Sequence, residues 1–119
     1  VGELVGHFEK SRKALPAISL FDLSSLTAIA NDDGYEYVFS RPLEALGRLG
    51  DVLVVLSTSG TSKNCLGAIQ TAKNKGMIVV EFPNKKENTY RHSWSIADLQ
   101  ELHLSMIHDI CRIIDKHYA

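Results

Sequence analysis

The sequence predicts an α/β fold: a three-layer αβα sandwich built on a mostly parallel sheet. Three observations point there. Asp51–Leu56 and Met77–Phe82 are short, nearly continuous apolar runs, as expected of strands covered by helices on both faces. Between them, Ser62 to Lys75 carries the 3.6-residue period of an amphipathic helix. Strands and helices alternate along the chain rather than segregating.

The elements follow in order. Val1–Phe8 enters in mid-pattern, as though a helix were already under way, which reads as a trimmed chain or an upstream segment. Pro16–Phe21 reads as a buried strand. Ser24 and Ser25 offer N-caps for a helix over Leu26–Ala30, ending at the turn-rich Asn31-Asp32-Asp33-Gly34. Tyr37, Val38, Leu43 and Leu46, with Phe39 and Ala45, suggest a second helix. Pro42 near its middle forces a kink or a broken start. After the Asp51–Leu56 strand, the Ser62 helix puts Cys65, Leu66, Ile69 and Ala72 on one face and stops at Gly76. Met77–Phe82 is the third strand, and Pro83–Asn88 a polar, lysine-rich loop. Thr89–Ile96 fits either a short edge strand or a loop. A long helix from about Ala97 to His117 presents Leu99, Leu102, Met106, Ile110 and Ile113 on its apolar face. There is no internal repeat and no low-complexity tract.

Composition narrows the function. The chain has 119 residues, 45% hydrophobic and 23% charged, with net charge −1, which suits one globular domain. So balanced a charge gives no global attraction to nucleic acid or an acidic membrane. No apolar run approaches the roughly 20 residues of a membrane span. Cys65 and Cys111 fall on apolar helix faces and read as core thiols of a reducing, cytoplasmic compartment.

The most informative stretch is Ser57-Thr58-Ser59-Gly60-Thr61-Ser62, a hydroxyl-rich loop between an apolar strand and a helix. Such a junction gathers backbone N–H groups, O–H donors and the positive end of a helix dipole, a combination that suits a phosphate dianion. The loop has no lysine and no G-x-x-x-x-G-K-[ST] pattern, so it is not a nucleotide P-loop. The Rossmann glycine fingerprint is missing too. A phosphorylated metabolite fits better, and the competing reading is a helix capped by Ser62. In an open parallel sheet, ligands bind beyond the carboxyl ends of the strands, where this loop sits.

Other candidates carry two readings each. Glu3 is by default a solvated side chain. Asn31-Asp32-Asp33-Gly34 is either a plain turn or a loop offering amide and carboxylate to sugar hydroxyls. On the last helix stand Gln100, His103 and His108. His108, beside the apolar face, is by default a satisfied core or interface histidine; the alternative is an acid/base group. Nothing matches HExxH or paired CxxC spacing, so spacing alone supplies no metal site.

Several segments together resemble one family. Leu26–Glu36, Phe39-Ser40-Arg41, Gly50–Leu53, Ser57–Asn64 and Gln100-Glu101-Leu102-His103 with His108 are similar, in order, to sugar-isomerase (SIS) domains of the phosphoheptose isomerase type. The resemblance implies a single SIS domain and interconversion of sedoheptulose 7-phosphate and D-glycero-D-manno-heptose 7-phosphate, toward the heptose of bacterial lipopolysaccharide. It implies homotetramers with active sites between subunits, zinc in several members, and no nucleotide or organic cofactor. Carried over by motif, Glu3 becomes the catalytic carboxylate and His108 its partner. Ser57, Thr58, Ser59 and Ser62 hold the phosphate, while Asn31, Asp32 and Gln100 contact the sugar. Zinc, where bound, uses Glu3, Gln100 and His108. The resemblance equally admits a non-catalytic SIS protein, a phosphosugar sensor or a replication-initiator-binding tetramer.

The chain departs from the family pattern in places. The upstream helix, first strand and glycine-rich substrate loop are absent, as is a histidine ligand one turn before Glu3. Thr61 replaces an asparagine, and the segment between Phe82 and Gln100 is short and does not align. The expectation is a domain incomplete at its N-terminus and around residues 83–96, inactive or poorly folded alone. A geometric constraint accompanies the zinc expectation. On one continuous helix Gln100 and His108 stand about 12 Å apart axially, too far to share an ion comfortably. Either the helix begins after Gln100 or the residues come from different subunits.

Overall fold

The computed structural model describes residues 1–87 and 93–118. Its elements are α1 (Gly2–Val5), α2 (Leu23–Asp32), a 3-10 turn (Tyr35–Tyr37), α3 (Ser40–Leu46), β1 (Val52–Val55), α4 (Lys63–Asn74), β2 (Ile78–Glu81) and α5 (Ile96–Tyr118). β1 and β2 pair in parallel, Val52 opposite Ile78 and Val55 opposite Glu81, with α4 as the crossover. This is the βαβ unit that the apolar runs and the helical period predicted.

The core forms where α3 and α4 pack on the sheet. Leu43, Leu53, Val55, Ala68, Ile69 and Ala72 are buried together, with Leu20, Phe39, Cys65, Met77 and Val79 against them. Strand alternation turns Val52, Val54, Ile78 and Val80 to the opposite face, where each is exposed. Among the described residues, therefore, helices cover one face of the sheet rather than both.

Three local expectations change. Pro16–Phe21 is not a strand: it joins no ladder, Ile18 and Phe21 are exposed, and the Phe21 N–H is taken by Ser19 Oγ at 3.2 Å. α2 starts three residues earlier than expected. Its cap is Asp22, whose carboxylate accepts from Ser25 N (2.9 Å), Ser24 Oγ (2.8 Å) and Ser25 Oγ (2.7 Å). Pro42 lies in the first turn of α3, where its missing N–H costs no helical bond, and the residues before it form a separate 3-10 turn.

α5 opens with a reciprocal capping box: Ser95 Oγ accepts from Asp98 N at 3.0 Å, and Asp98 Oδ2 accepts from Ser95 N at 2.8 Å. Of the Thr89–Ile96 stretch, residues 89–92 fall outside the described residues, and residues 93–96 form no strand but lead into α5. The buried stripe of α5 is Leu99, His103, Cys111 and Asp115, rotated from the predicted one, and Ile113 is exposed. A polar pair displaces the apolar pattern here because both polar members are satisfied. No helix among the described residues is long and apolar enough to cross a membrane.

Candidate active site

The loop after β1 turns on Gly60, whose φ of +71° is costly for any side chain bearing a Cβ. The Gly60 N–H donates to Ser57 Oγ (3.2 Å), and Thr61 N to Ser59 Oγ (3.2 Å). Ser59 and Ser62 hydroxyls lie 3.3 Å apart across the loop. Ser62 precedes α4 but makes no side-chain hydrogen bond to it. The competing reading of this serine as a simple cap is therefore not realised. The first turn of α4 keeps its N-terminal dipole facing the loop without that internal acceptor.

A second layer holds the loop from behind. Lys85 N donates to the Thr58 carbonyl at 3.0 Å. Asn84, fully buried, packs directly against Gly60, accepts from the N–H groups of Lys86 (3.0 Å) and Glu87 (3.2 Å), and donates to Glu81 (3.3 Å). His103 joins this layer to α5. Its Nε2 lies 2.6 Å from the Pro83 carbonyl oxygen, which fixes Nε2 as the protonated nitrogen, and its ring stands edge-on to Phe82.

These elements border an open cleft of about 580 Å³ lined by the loop (Leu56, Ser57, Thr58, Ser62), α4 (Asn64, Cys65), α5 (Gln100, His103, Leu104, Ile107), and Tyr35 and Phe39. Four of the predicted substrate contacts, Ser57, Thr58, Ser62 and Gln100, thus share one cavity. Ser59 lies in the same loop and reaches the site through Ser62. A second cleft of about 550 Å³ adjoins it, sharing Tyr35, Ser62 and Asn64 and bounded by Gly34, Glu36 and Lys63. Burial first, then the Glu81 charge, push the Cys65 thiol above its usual 9.0, partly offset by a hydrogen bond with Ser57. At neutral pH it is a neutral wall of the cleft.

Asn31 and Asp32 do not line either cleft. They are exposed at the end of α2, the Asn31 amide donating to Asp32 Oδ1 at 2.9 Å. Glu3 and His108 also stand apart from the cleft lining. His108 stacks on Phe8, ring centroids 5.1 Å apart and planes 17° from parallel. Glu3, half-buried on α1, is near enough to α5 that its carboxylate helps raise the Cys111 thiol, after burial as the main cause. One chain thus places Glu3 beside the helix carrying His108, and the hydroxyl loop beside Gln100.

Gln100 and His108 belong to the same unbroken helix, so the alternative of a helix beginning after Gln100 is excluded. Among the described residues no three His, Cys, Asp or Glu side chains come together as a metal centre. Eight residues apart on one continuous helix, about 12 Å axially, Gln100 and His108 of one chain do not fit a shared zinc site with Glu3.

Sequence reasoning noted His103 without giving it a role and passed over Asn84 and Arg12. Asn84 follows Pro83 in a polar loop, and nothing in its neighbours marks it as buried.

The fold is an α/β domain with a hydroxyl-rich loop at the carboxyl end of a parallel strand, and comparison with known proteins says which family it falls in. The family model described as SIS domain matches residues 1–82, and the chain belongs to that family. Within it, the chain is similar to phosphoheptose isomerases. It is 44% identical to that of Cytophaga hutchinsonii, over 96% of this chain and 65% of the relative. It is also 44% identical to that of Haemophilus ducreyi, over 98% and 66%. Among solved structures, a phosphoheptose isomerase from Francisella tularensis superimposes with a TM-score of 0.88 at 34% identity, over 97% of this chain and 67% of that one. One from Neisseria gonorrhoeae gives 0.83 at 35% identity. The chain spans about two thirds of the length of these relatives, 65% of the Cytophaga protein.

Proposed function

We propose that the protein is an aldose–ketose isomerase that interconverts sedoheptulose 7-phosphate and D-glycero-D-manno-heptose 7-phosphate in the cytoplasm, supplying heptose for lipopolysaccharide. The observation that carries this reading is the shared cavity of Ser57, Thr58, Ser62 and Gln100, joined to similarity with phosphoheptose isomerases.

In this reading the phosphate binds at the hydroxyls of Ser57, Thr58, Ser59 and Ser62 and at the N-terminus of α4, where the Cys65 N–H is already bonded to Asn64 Oδ1 at 2.8 Å. Charge-assisted bonds and the helix dipole favour the dianion there. Gln100, on the opposite wall, meets the sugar hydroxyls; Asn31 and Asp32, outside both clefts, are not assigned a contact with this chain's own bound sugar. Holding the remote phosphate supplies binding energy that orients the reacting carbons. Glu3 removes the proton from the carbon beside the carbonyl, and the His108 imidazolium protonates the carbonyl oxygen, giving the enediol. Return of the proton from Glu3 to the neighbouring carbon, with loss of the other hydroxyl proton to His108, completes the exchange.

Glu3 and His108 lie outside the lining of their own chain's cleft, so the reading calls for a homo-oligomer, a tetramer by family resemblance, in which another chain completes each site. The same separation favours the second reading, a SIS protein that binds a phosphosugar without turning it over. Incubation with sedoheptulose 7-phosphate decides between them. Aldose product formed by the wild type and lost in Glu3→Gln and His108→Gln supports the isomerase. Turnover indifferent to both substitutions overturns the catalytic assignment, and tight binding without turnover supports the second reading.

A further inference from the structure

Between α1 and α2 the chain runs as a strap along the second half of α5. Phe8 stacks on His108, and Arg112 lies over the same Phe8 ring at 5.6 Å. Glu9 pairs with Arg112 at 3.0 Å, Arg12 with Asp115 at 2.7 Å, and Lys13 lies 5.5 Å from the Tyr118 ring. Phe8, Glu9, Arg12 and Lys13 thus meet successive turns of α5, from His108 to Tyr118.

Arg12 is the anchor of this strap. Its side chain is fully buried, and so nearly is that of Asp115. A buried guanidinium is tolerated only when its charge is paired and its nitrogens are hydrogen-bonded, and here the charge and all three nitrogens have partners. Nε donates to Asp115 Oδ1 (2.7 Å). Nη1 donates to the carbonyls of Leu4 (3.0 Å), Gly6 (3.3 Å) and Lys13 (3.1 Å), and Nη2 to that of Glu3. Asp115 Oδ2 accepts in turn from the N–H groups of Glu9 (3.0 Å) and Lys10 (3.2 Å). Burial works against the Asp115 carboxylate, but the bonds from Arg12, Lys10 and Glu9 outweigh it and hold its pKa below the usual 3.8. Three of the four carbonyls that Arg12 collects, those of Glu3, Leu4 and Gly6, belong to α1 and its exit. At four residues α1 is too short to hold its own position.

We propose that Arg12 is a positioning residue for the reaction: by bridging the α1 carbonyls to Asp115 it sets where the Glu3 carboxylate stands against the helix that bears His108. This rests on the reading of Glu3 and His108 as the reacting pair. A lysine can keep the charge beside Asp115 but has no planar fork to span five acceptors, so Arg12→Lys separates ion pairing from carbonyl gathering.

The test measures kcat and KM for sedoheptulose 7-phosphate per folded molecule in wild type, Arg12→Lys and Asp115→Asn. Alongside it, amide hydrogen exchange across residues 2–6 is measured in wild type and Arg12→Lys, because Arg12 holds the carbonyls of Glu3, Leu4 and Gly6. The expected result is a fall in kcat of at least about tenfold in both variants, KM within twofold, and faster exchange across α1 in Arg12→Lys. Unchanged kcat per folded molecule, or unchanged α1 exchange, overturns the proposal. Full turnover in Glu3→Gln sinks the catalytic reading instead. If the wild type shows no turnover, unchanged α1 exchange in Arg12→Lys still overturns the claim that Arg12 holds α1 in place.

Discussion

Gly60 of the hydroxyl loop lies directly against the side-chain amide of Asn84, the buried residue that organises the turn after β2. Two strand ends thereby become one surface. The loop after β1 is shaped by the loop after β2, and α5 fixes the latter through His103 and Pro83.

That contact makes Gly60→Ala a sharp probe. The methyl group would collide with Asn84 and be held at positive φ. The expected cost is roughly 1–3 kcal/mol, read as a lower urea midpoint with an unchanged m-value. Affinity for a sugar phosphate falls as well, because the loop carries the hydroxyls.

Ser62→Ala separates capping from binding. An N-cap serine that bonds its helix costs about 1 kcal/mol to remove, but Ser62 makes no such bond. Stability should change by less than about 0.5 kcal/mol, while affinity for sedoheptulose 7-phosphate drops roughly tenfold with a lost charge-assisted bond. Thermal melts and titration calorimetry read the two effects separately.

Acid stability carries the signature of two caps. Backbone and hydroxyl hydrogen bonds from Ser25 and Ser24 lower the pKa of Asp22, and those from Ser95 lower that of Asp98, both below 3.8. A carboxylate depressed in the folded state binds its proton more readily when unfolded. Its contribution is present above the unfolded value of 3.8 and is lost as pH falls through the lower folded value. The double variant Asp22→Asn, Asp98→Asn should be less stable than wild type at pH 6, and the gap should close as pH falls below 3.8. Denaturant melts from pH 6 to 2.5 test this; a gap that stays constant contradicts it.

Replacing either member of the proposed acid/base pair should cut kcat by about 10²–10⁴ with KM little changed, since neither touches the phosphate loop. Stability should split the two substitutions. His108→Gln removes the stacking on Phe8 and lowers the melting temperature, whereas Glu3→Gln leaves every hydrogen bond described for Glu3 in place, because only its backbone is used.

Much of this was readable in the sequence because it is local. Apolar runs marked β1 and β2, a 3.6-residue period marked α4 and α5, and a run of hydroxyls after a strand marked the loop. What was not readable depends on partners distant in the chain. Pro16–Phe21 has a strand's composition but no strand to pair with among the described residues. His103 and Asp115 look like interruptions of an apolar stripe until their partners, Pro83 and Arg12, are known. Arg12 sits between serine and lysine in a stretch that reads as solvated, and only the fold buries it.

The account depends most on the Ser57–Ser62 loop gripping a phosphate, and titration calorimetry of the wild-type protein with sedoheptulose 7-phosphate and with unphosphorylated sedoheptulose tests it most directly. Removing the phosphate should weaken binding by at least about a hundredfold, since several charge-assisted bonds are lost together, and Ser57→Ala with Ser62→Ala should erase most of that difference. Equal affinity for the two sugars, or a phosphate preference that survives the double substitution, would contradict it.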